Sequence, residues 1–210
     1  SIIVSINLAI SIYFILQKEL HGINHFETLI LLIILFIYTV FIQIFYKQSL
    51  CSEIIFLTLF IGVISFQAER MLLGIIIEPT LLNILLTAKT ALLCKYIALL
   101  TLLGTSLFTY SIKKKKIGSW LLLSLLASIT IASVTHYNTG VFNNTMLPEI
   151  IFKSQELTIS ITISILTLLS FIKTSFDTKN VEYIYLGVAC MALSISVILS
   201  FISLDILSSV

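Results

Sequence analysis

The chain has 210 residues, of which 59% are hydrophobic and only 10% charged, with a formal net charge of +2 at pH 7. Soluble domains are about 45–50% apolar and about 25% charged, so the composition excludes a water-soluble globular protein. No basic patch interleaved with aromatic residues occurs in the sequence, which argues against nucleic acid as a partner. The lipid bilayer is therefore the expected solvent, and there every backbone polar group needs an internal partner.

Seven apolar runs predict seven membrane-spanning helices, because a helix needs about 20 mostly apolar residues to cross a bilayer. The predicted spans are residues 2–16, 28–46, 54–73, 91–112, 120–135, 157–172 and 183–204. The chain holds only seven Gly and two Pro, and this scarcity favours unbroken helices over the discontinuous helices of many transporters. The expected fold class is all-α, a polytopic transmembrane bundle that forms one domain over residues 1–210.

The segment between the third and fourth spans is apolar but interrupted. Pro79 suits the first turn of a helix and opposes continuation of the helix before it. Residues Thr80 to Thr87 are therefore expected either as a short helix at the membrane interface or as the first turns of a long fourth helix. A re-entrant segment fits the pattern less well.

The distribution of lysines predicts how the chain is oriented. Lys47, the block Lys113–Lys116, Lys173 and Lys179 all fall in the links after the second, fourth and sixth spans. Lysine and arginine favour the cytoplasmic side when counted over short links. We therefore expect a cytoplasmic N-terminus, an external C-terminus and an external polar link between the fifth and sixth spans.

Five charged residues lie inside or beside the third and fourth apolar runs. They are Glu69, Arg70, Glu78, Lys89 and Lys95. A charge at a helix centre costs about 2.5–3.5 kcal/mol on insertion scales, so such groups usually pair or face the interior of a bundle. The sequence predicts a ligand-binding polar layer near the outer face, in which one of the two acids pairs with one of the three bases. In the simpler alternative all but Lys95, which lies deeper, are interfacial residues whose charged ends reach water.

Histidines offer an alternative site. His21 and His25 are four residues apart and would share one face of a helix, as metal ligands do. The predicted topology also places His136 at the outer side. Gly22 and Asn24 weaken a helix there, so solvated histidines are the simpler interpretation. No metal or other cofactor is expected, and no nucleophile–base set or carboxylate pair predicts catalytic residues.

Four predicted spans carry small or hydroxyl residues at four-residue spacing. These stripes are Thr101, Thr105 and Thr109; Ser124, Ser128 and Ala132; Ser160 and Ser164; and Ala192, Ser196 and Ser200. Such stripes let helix backbones approach closely in lipid, which predicts packing within the bundle. The same faces could contact a protein partner or a second copy of the chain, and a polar conduit is the minority interpretation.

The third to seventh spans carry a recognisable set of motifs. They are Glu69 with Arg70, Pro79, the segment Lys95–Leu100, the segment Ser106–Phe108, the lysine-rich link to Gly118, and residues 132–142. In these motifs the chain resembles a group of uncharacterised multi-pass membrane proteins found mainly in spirochaetes. That group has Pro-Asp-Thr-Thr where this chain reads His136-Tyr137-Asn138-Thr139, so the acid is missing. The resemblance implies a multi-pass architecture and a bacterial inner-membrane location, and it implies no known activity.

Together these patterns favour a non-enzymatic multi-pass inner-membrane protein. We expect a membrane subunit or sensor-like module that binds a partner or a small ligand in the outer polar layer. A small-solute carrier or channel is the first alternative and needs a membrane-deep cavity that reaches Lys95. A membrane-embedded metal-dependent hydrolase is the second, and it needs a metal near the three histidines.

Overall fold

The computed structural model describes residues 33–37, 39–40, 44, 52–66, 80–110, 116–142 and 148–206. Residues 33–37, 39–40 and 44 are helical. The longer elements, in chain order, are α1 (Ser52–Ser65), α2 (Leu81–Tyr110), α3 (Ile117–Val134), β1 (Tyr137–Phe142), β2 (Pro148–Ile150), α4 (Lys153–Thr178) and α5 (Glu182–Ile206). The described part of the chain is therefore almost entirely helical.

Four helices are long and apolar enough to cross a membrane. Their membrane-competent segments are Leu81–Thr109, Ile117–Val134, Lys153–Thr178 and Glu182–Leu199. The apolar segment Ile54–Ser65 of α1 is shorter. A helical integral membrane protein is thus confirmed, whereas the number of seven spans and the orientation of the termini stay predictions. The first predicted span and most of the second lie outside the described residues.

Helix α2 is the centre of the bundle and packs against α1, α3, α4 and α5. In its most apolar stretch 72% of the residues are buried, against 17% in α3 and 28% in each of α4 and α5. Its 30 residues make a helix about 45 Å long at ~1.5 Å per residue. That exceeds the ~30 Å hydrocarbon core, so part of α2 extends past the core or the helix tilts.

The start of α2 decides between the two arrangements left open by the sequence. Thr80 precedes the helix, its side-chain oxygen accepts a bond from the Asn83 N–H at 3.4 Å, and its carbonyl accepts one from the Ile84 N–H at 3.1 Å. A threonine in this position caps a helix N-terminus. The segment after Pro79 therefore forms the first turns of one long helix, which begins ten residues before the predicted fourth span (Leu81 against residue 91).

Helix α3 runs antiparallel to α2. The Trp120 indole N–H donates to the Leu100 carbonyl at 3.3 Å near the start of α3, and the Lys89 ammonium donates to the Ser133 carbonyl at 3.4 Å near its end. The buried residues of α3 are Ser124, Ser128 and Ala132. We call the end of the bundle where α2 connects to α3 the lysine end, and the opposite end the hairpin end.

A small β-hairpin follows α3, where the sequence predicted only a polar link. Strands β1 and β2 are antiparallel, and Tyr137 pairs with Ile150. The register is irregular between Asn138 and Phe142. The Tyr137 hydroxyl donates to the Ala88 carbonyl of α2 at 3.1 Å, which fastens the hairpin to the central helix.

Helices α4 and α5 form a closely packed antiparallel pair. A Cβ added at Gly187 would lie 2.8 Å from the Phe171 Cβ, so only glycine allows this approach. The turn between the helices places Lys179 in the left-handed region at φ 55°. The Asn180 side chain accepts a bond from the Glu182 N–H at 3.0 Å and so caps the start of α5.

Glycine also permits close packing near the lysine end of α2. A Cβ at Gly104 would lie 2.6 Å from the Trp120 Nε1 and 2.8 Å from the Phe56 Cε1. The Phe108 ring centroid lies 5.4 Å from that of Phe56 and 6.3 Å from that of Trp120, the latter edge-on. These four residues, Phe56, Gly104, Phe108 and Trp120, are called the aromatic cluster, and they join α1, α2 and α3.

Three of the four predicted small-residue stripes are buried at least in part. Thr101 and Thr105 are buried in α2, and Ser160 and Ser164 in α4, as are all three residues of the α3 stripe. The hydroxyls mostly donate to carbonyls of their own helix three or four residues back. In α5, by contrast, Ala192 and Ser196 are exposed, so contact of this face with a partner stays a prediction.

Candidate functional site

Lys95 is held inside the bundle by the periodicity of α2. Leu92 and Leu99 lie three and four residues away on the same face, and both are fully buried. Residues at this spacing share one side of a helix. The Lys95 side chain has an exposed fraction of 0%, so its charge is enclosed by the bundle, as its deeper position in the fourth apolar run predicted.

The partner of Lys95 is Glu156, in the first turn of α4. The Lys95 Nζ lies 2.5 Å from the Glu156 Oε1, and the carboxylate is 9% exposed. A carboxylate near a helix N-terminus is favoured by the helix dipole, and the Lys95 ammonium lies beside this carboxylate as its counter-ion. The pair joins positions that are 61 residues apart in the chain and ties the start of α4 to the middle of α2.

Two hydroxyl groups complete the site. Ser160 donates to the Glu156 carbonyl at 3.0 Å and lies 3.2 Å from its Oε1. The Tyr96 hydroxyl lies 3.4 Å from the Glu156 carbonyl oxygen and 3.5 Å from its Oε1, which is long for a hydrogen bond donated by a hydroxyl. Lys95, Tyr96, Glu156 and Ser160 are called the polar cluster.

The polar cluster lies toward the hairpin end of the membrane region. From Glu156 to the last residue of α4, Thr178, the helix is about 33 Å long at ~1.5 Å per residue. This is close to the ~30 Å thickness of the hydrocarbon core. An α4 that crosses the core therefore places Glu156 near the boundary of the core at the hairpin end.

Burial makes the two charges dependent on each other. An ion in a low-dielectric interior loses several kcal/mol of hydration, and its partner offsets that loss only while the two stay in contact. The pair as a whole carries no net charge. Any group that enters between Lys95 and Glu156 therefore has to compensate both charges, or one of them loses the contact that offsets its lost hydration.

Of the other four residues of the predicted polar layer, the structure describes only Lys89. Lys89 is half-buried and donates to the Ser133 carbonyl, away from the polar cluster. Glu69, Arg70 and Glu78 lie outside the described residues. The structure thus places one of the five predicted residues, Lys95, in a buried ionic site, and the acid that it brings there is Glu156.

The predicted histidine site is not assembled in the described part of the chain. His136 is exposed just before β1, and its carbonyl accepts a bond from the Ile151 N–H at 3.1 Å. His21 and His25 lie outside the described residues. Within the described ranges no three His, Cys, Asp or Glu side chains come together as a metal site requires.

Sequence reasoning missed Glu156 because this acid stands in a polar link and not in an apolar run. It follows Lys153 and Gln155, which look like the solvated end of a helix. One signal was present: Glu156, Ser160 and Ser164 share the four-residue spacing that was used for the α4 stripe. Extending that stripe by one step toward the N-terminus would have placed the acid on the buried face.

Comparison of the chain with protein-family models, with curated proteins and with solved structures gave no match.

Proposed function

We propose that the protein is a non-enzymatic membrane module that binds a small polar ligand at the polar cluster of α2 and α4. The observation that carries this proposal is the buried Lys95–Glu156 pair. An ionisable residue inside a membrane bundle is by default a candidate functional group. A buried ion pair often contributes no more stability than a well-packed apolar pair of the same volume, so stability alone does not account for it.

The sidedness of the site follows from the lysine distribution. The block Lys113–Lys116 lies between α2 and α3 in sequence, and Lys173 and Lys179 lie near the turn between α4 and α5. Lys116, Lys173 and Lys179 lie toward the lysine end, and the positive-inside rule assigns an end that is rich in lysine to the cytoplasm. The polar cluster then faces the outer side of the membrane. The resemblance to the spirochaete group supports a bacterial inner membrane.

The test is to identify small molecules that copurify with the full-length protein. Wild-type protein and the variant Lys95→Met/Glu156→Leu are purified in parallel in a mild detergent. Both are extracted, and the extracts are compared by mass spectrometry. The double variant is suited to this because an apolar replacement of both partners preserves packing. A polar molecule that the wild type retains and the double variant lacks is expected; indistinguishable extracts would contradict the proposal.

A small-solute carrier is the second candidate, and one feature of α4 favours it. Its buried face continues from Glu156 toward the lysine end mostly through hydroxyl residues, namely Ser160, Ser164, Thr167, Thr174 and Ser175. Phe171 interrupts this series and is fully buried, so a path along it requires the ring to move. Proteoliposomes loaded with the copurified molecule distinguish the two functions, because a carrier releases it with time and a binding module does not.

A further inference from the structure

We propose that the ligand of the polar cluster is a small zwitterion, a molecule with one ammonium and one carboxylate group. Its carboxylate would replace that of Glu156 beside Lys95, and its ammonium would replace Lys95 beside Glu156. This inference rests on the proposed function and specifies the chemistry of the molecule that is bound. No covalent step is involved.

The argument begins with charge. Lys95 and Glu156 have exposed fractions of 0% and 9%, so each is stabilised by its counter-ion more than by water. A ligand with only a negative charge would compensate Lys95 and separate Glu156 from its counter-ion in the pair, and a ligand with only a positive charge would compensate Glu156 and separate Lys95 from its counter-ion in the pair. Leaving one member of a buried pair unpaired is strongly unfavourable. A zwitterion exchanges both contacts, so that each member of the pair keeps an opposite charge beside it.

The hydroxyls of the cluster fit a carboxylate. The hydroxyl oxygens of Ser160 and Tyr96 lie 3.2 Å and 3.5 Å from the Glu156 Oε1, and both also lie within 3.5 Å of the Glu156 carbonyl oxygen. Because the Tyr96 contact is long, turning this hydroxyl toward an incoming carboxylate sacrifices little. Hydrogen bonds to a charged acceptor are roughly twice as strong as neutral ones, so a ligand carboxylate would gain a donor that the closed pair uses poorly.

The unequal burial of the pair suggests the order of contact. Glu156 retains some exposure, whereas Lys95 has none. The ammonium end of the ligand therefore meets Glu156 first and loosens its contact with Lys95. The ligand carboxylate then takes the ammonium that is released. The start of α4, where Glu156 lies, is the element that has to shift.

The test uses purified full-length protein in nanodiscs and three matched classes of probe. The zwitterions are glycine, β-alanine and 4-aminobutyrate; the single-charge probes are acetate, propionate and butyrate, and methyl-, ethyl- and propylammonium. Binding is measured by calorimetry and by the shift of the unfolding temperature. We expect at least one zwitterion to bind tenfold or more tightly than the anion and the cation of matching length.

Variants of the pair provide a second readout that a structural role would not produce. Glu156→Gln leaves Lys95 without its anion, so preference should switch from zwitterions to carboxylates. Lys95→Gln should switch preference to alkylammonium ions. Lys89→Gln removes a lysine from the same helix outside the cluster and should retain the preference of the wild type. Should a single variant fail to fold, the neutral variant Lys95→Gln/Glu156→Gln replaces it and is expected to bind none of the probes tightly.

The outcomes separate this inference from the proposed function. Equal affinity of the wild type for a zwitterion and a single-charge probe would overturn the inference, as would zwitterion binding that survives in the neutral double variant. Absence of binding by all three classes would overturn it as well. In each case the proposed function is judged independently, by whether a polar molecule copurifies with the wild type and is missing from Lys95→Met/Glu156→Leu.

Discussion

The middle of helix α2 and the part nearer the lysine end contact their neighbours by different means. In the middle of α2, Lys95 and Tyr96 reach Glu156 of α4 through a charge pair and a hydroxyl contact. Toward the lysine end, the aromatic cluster packs Phe56 and Trp120 against the bare backbone at Gly104. One contact surface is polar and buried, and the other is apolar and depends on the absence of a side chain.

The difference shows two ways to hold helices together in lipid. Lipid tails are as apolar as leucine, so burying an apolar face against another helix provides little driving force. What remains is close packing and interhelical polar contact. The aromatic cluster uses the first, because a glycine lets rings approach the helix axis. The polar cluster uses the second, and its stability depends on a specific partner 61 residues away in sequence.

The largest expected effect is the loss of unfolding free energy when Lys95 is replaced, and the comparison is with Lys89, the other lysine of α2. Lys95→Met leaves the Glu156 carboxylate buried without its cation and should lower the free energy of unfolding by about 3–5 kcal/mol. Lys89→Met is the matched control, since Lys89 is half-buried and makes one long bond to a carbonyl. Its effect should stay within about 0.5 kcal/mol. Denaturant titration in mixed micelles measures both, and equal effects would show that the pair is not buried as described.

The next effect tests the aromatic cluster. Gly104→Ala forces a methyl group against the Trp120 and Phe56 rings and should destabilise the protein by about 1–3 kcal/mol through overpacking. Gly118→Ala is the control, because no atom lies within 4 Å of its added Cβ, and it should be neutral or slightly stabilising. Both variants are measured by the same denaturant titration. An unchanged free energy of unfolding for Gly104→Ala would refute the close approach of α1, α2 and α3.

Two tyrosines allow a finer comparison. The Tyr137 hydroxyl donates to the Ala88 carbonyl at 3.1 Å, so Tyr137→Phe should cost about 1 kcal/mol. The Tyr96 hydroxyl lies 3.4 and 3.5 Å from two oxygens of Glu156, which is long for a hydrogen bond, so Tyr96→Phe should cost about 0.5 kcal/mol or less in the ligand-free protein. The reverse order of the two unfolding free energies would mean that the Tyr96 hydroxyl is bound more tightly than its distances indicate.

The smallest effect concerns the serines. Ser160 contacts the Glu156 carboxylate as well as a carbonyl of its own helix, whereas Ser124 donates to the Leu121 carbonyl. Polar contacts between side chains in membrane proteins average about 0.6 kcal/mol, so Ser160→Ala should lose roughly that amount and Ser124→Ala close to none. Thermal unfolding of both variants side by side resolves the difference. Identical values would remove Ser160 from the polar cluster.

Much of the helical framework could be predicted from composition and from runs of apolar residues. The last three predicted spans fall within α3, α4 and α5 or overlap them closely. The start of α2 was predicted less well, because Asn83 and Lys89 lower the local hydropathy without interrupting the helix. The hairpin was missed because β1 has only six residues, β2 has three and their register is irregular, so neither strand has a clear alternating pattern.

Of the two charged residues of the candidate site, the sequence predicted one. Lys95 stands out as a charge within an apolar run, and this signal is local. Glu156 has no such signal, because neighbouring polar residues conceal it and the pair forms only when α4 packs beside α2. An ion pair between distant positions depends on tertiary packing, which composition and periodicity do not encode.

A double-mutant cycle on Lys95→Met and Glu156→Leu tests the central claim most directly, namely that the two residues act as one buried neutral unit. The free energies of unfolding of the wild type, both single variants and the double variant are measured under one set of conditions. We predict that each single change costs about 3–5 kcal/mol and that the double variant returns close to the wild type, so that the coupling energy is the sum of the two single effects, about 6–10 kcal/mol. Single effects that add within about 0.5 kcal/mol would contradict the claim.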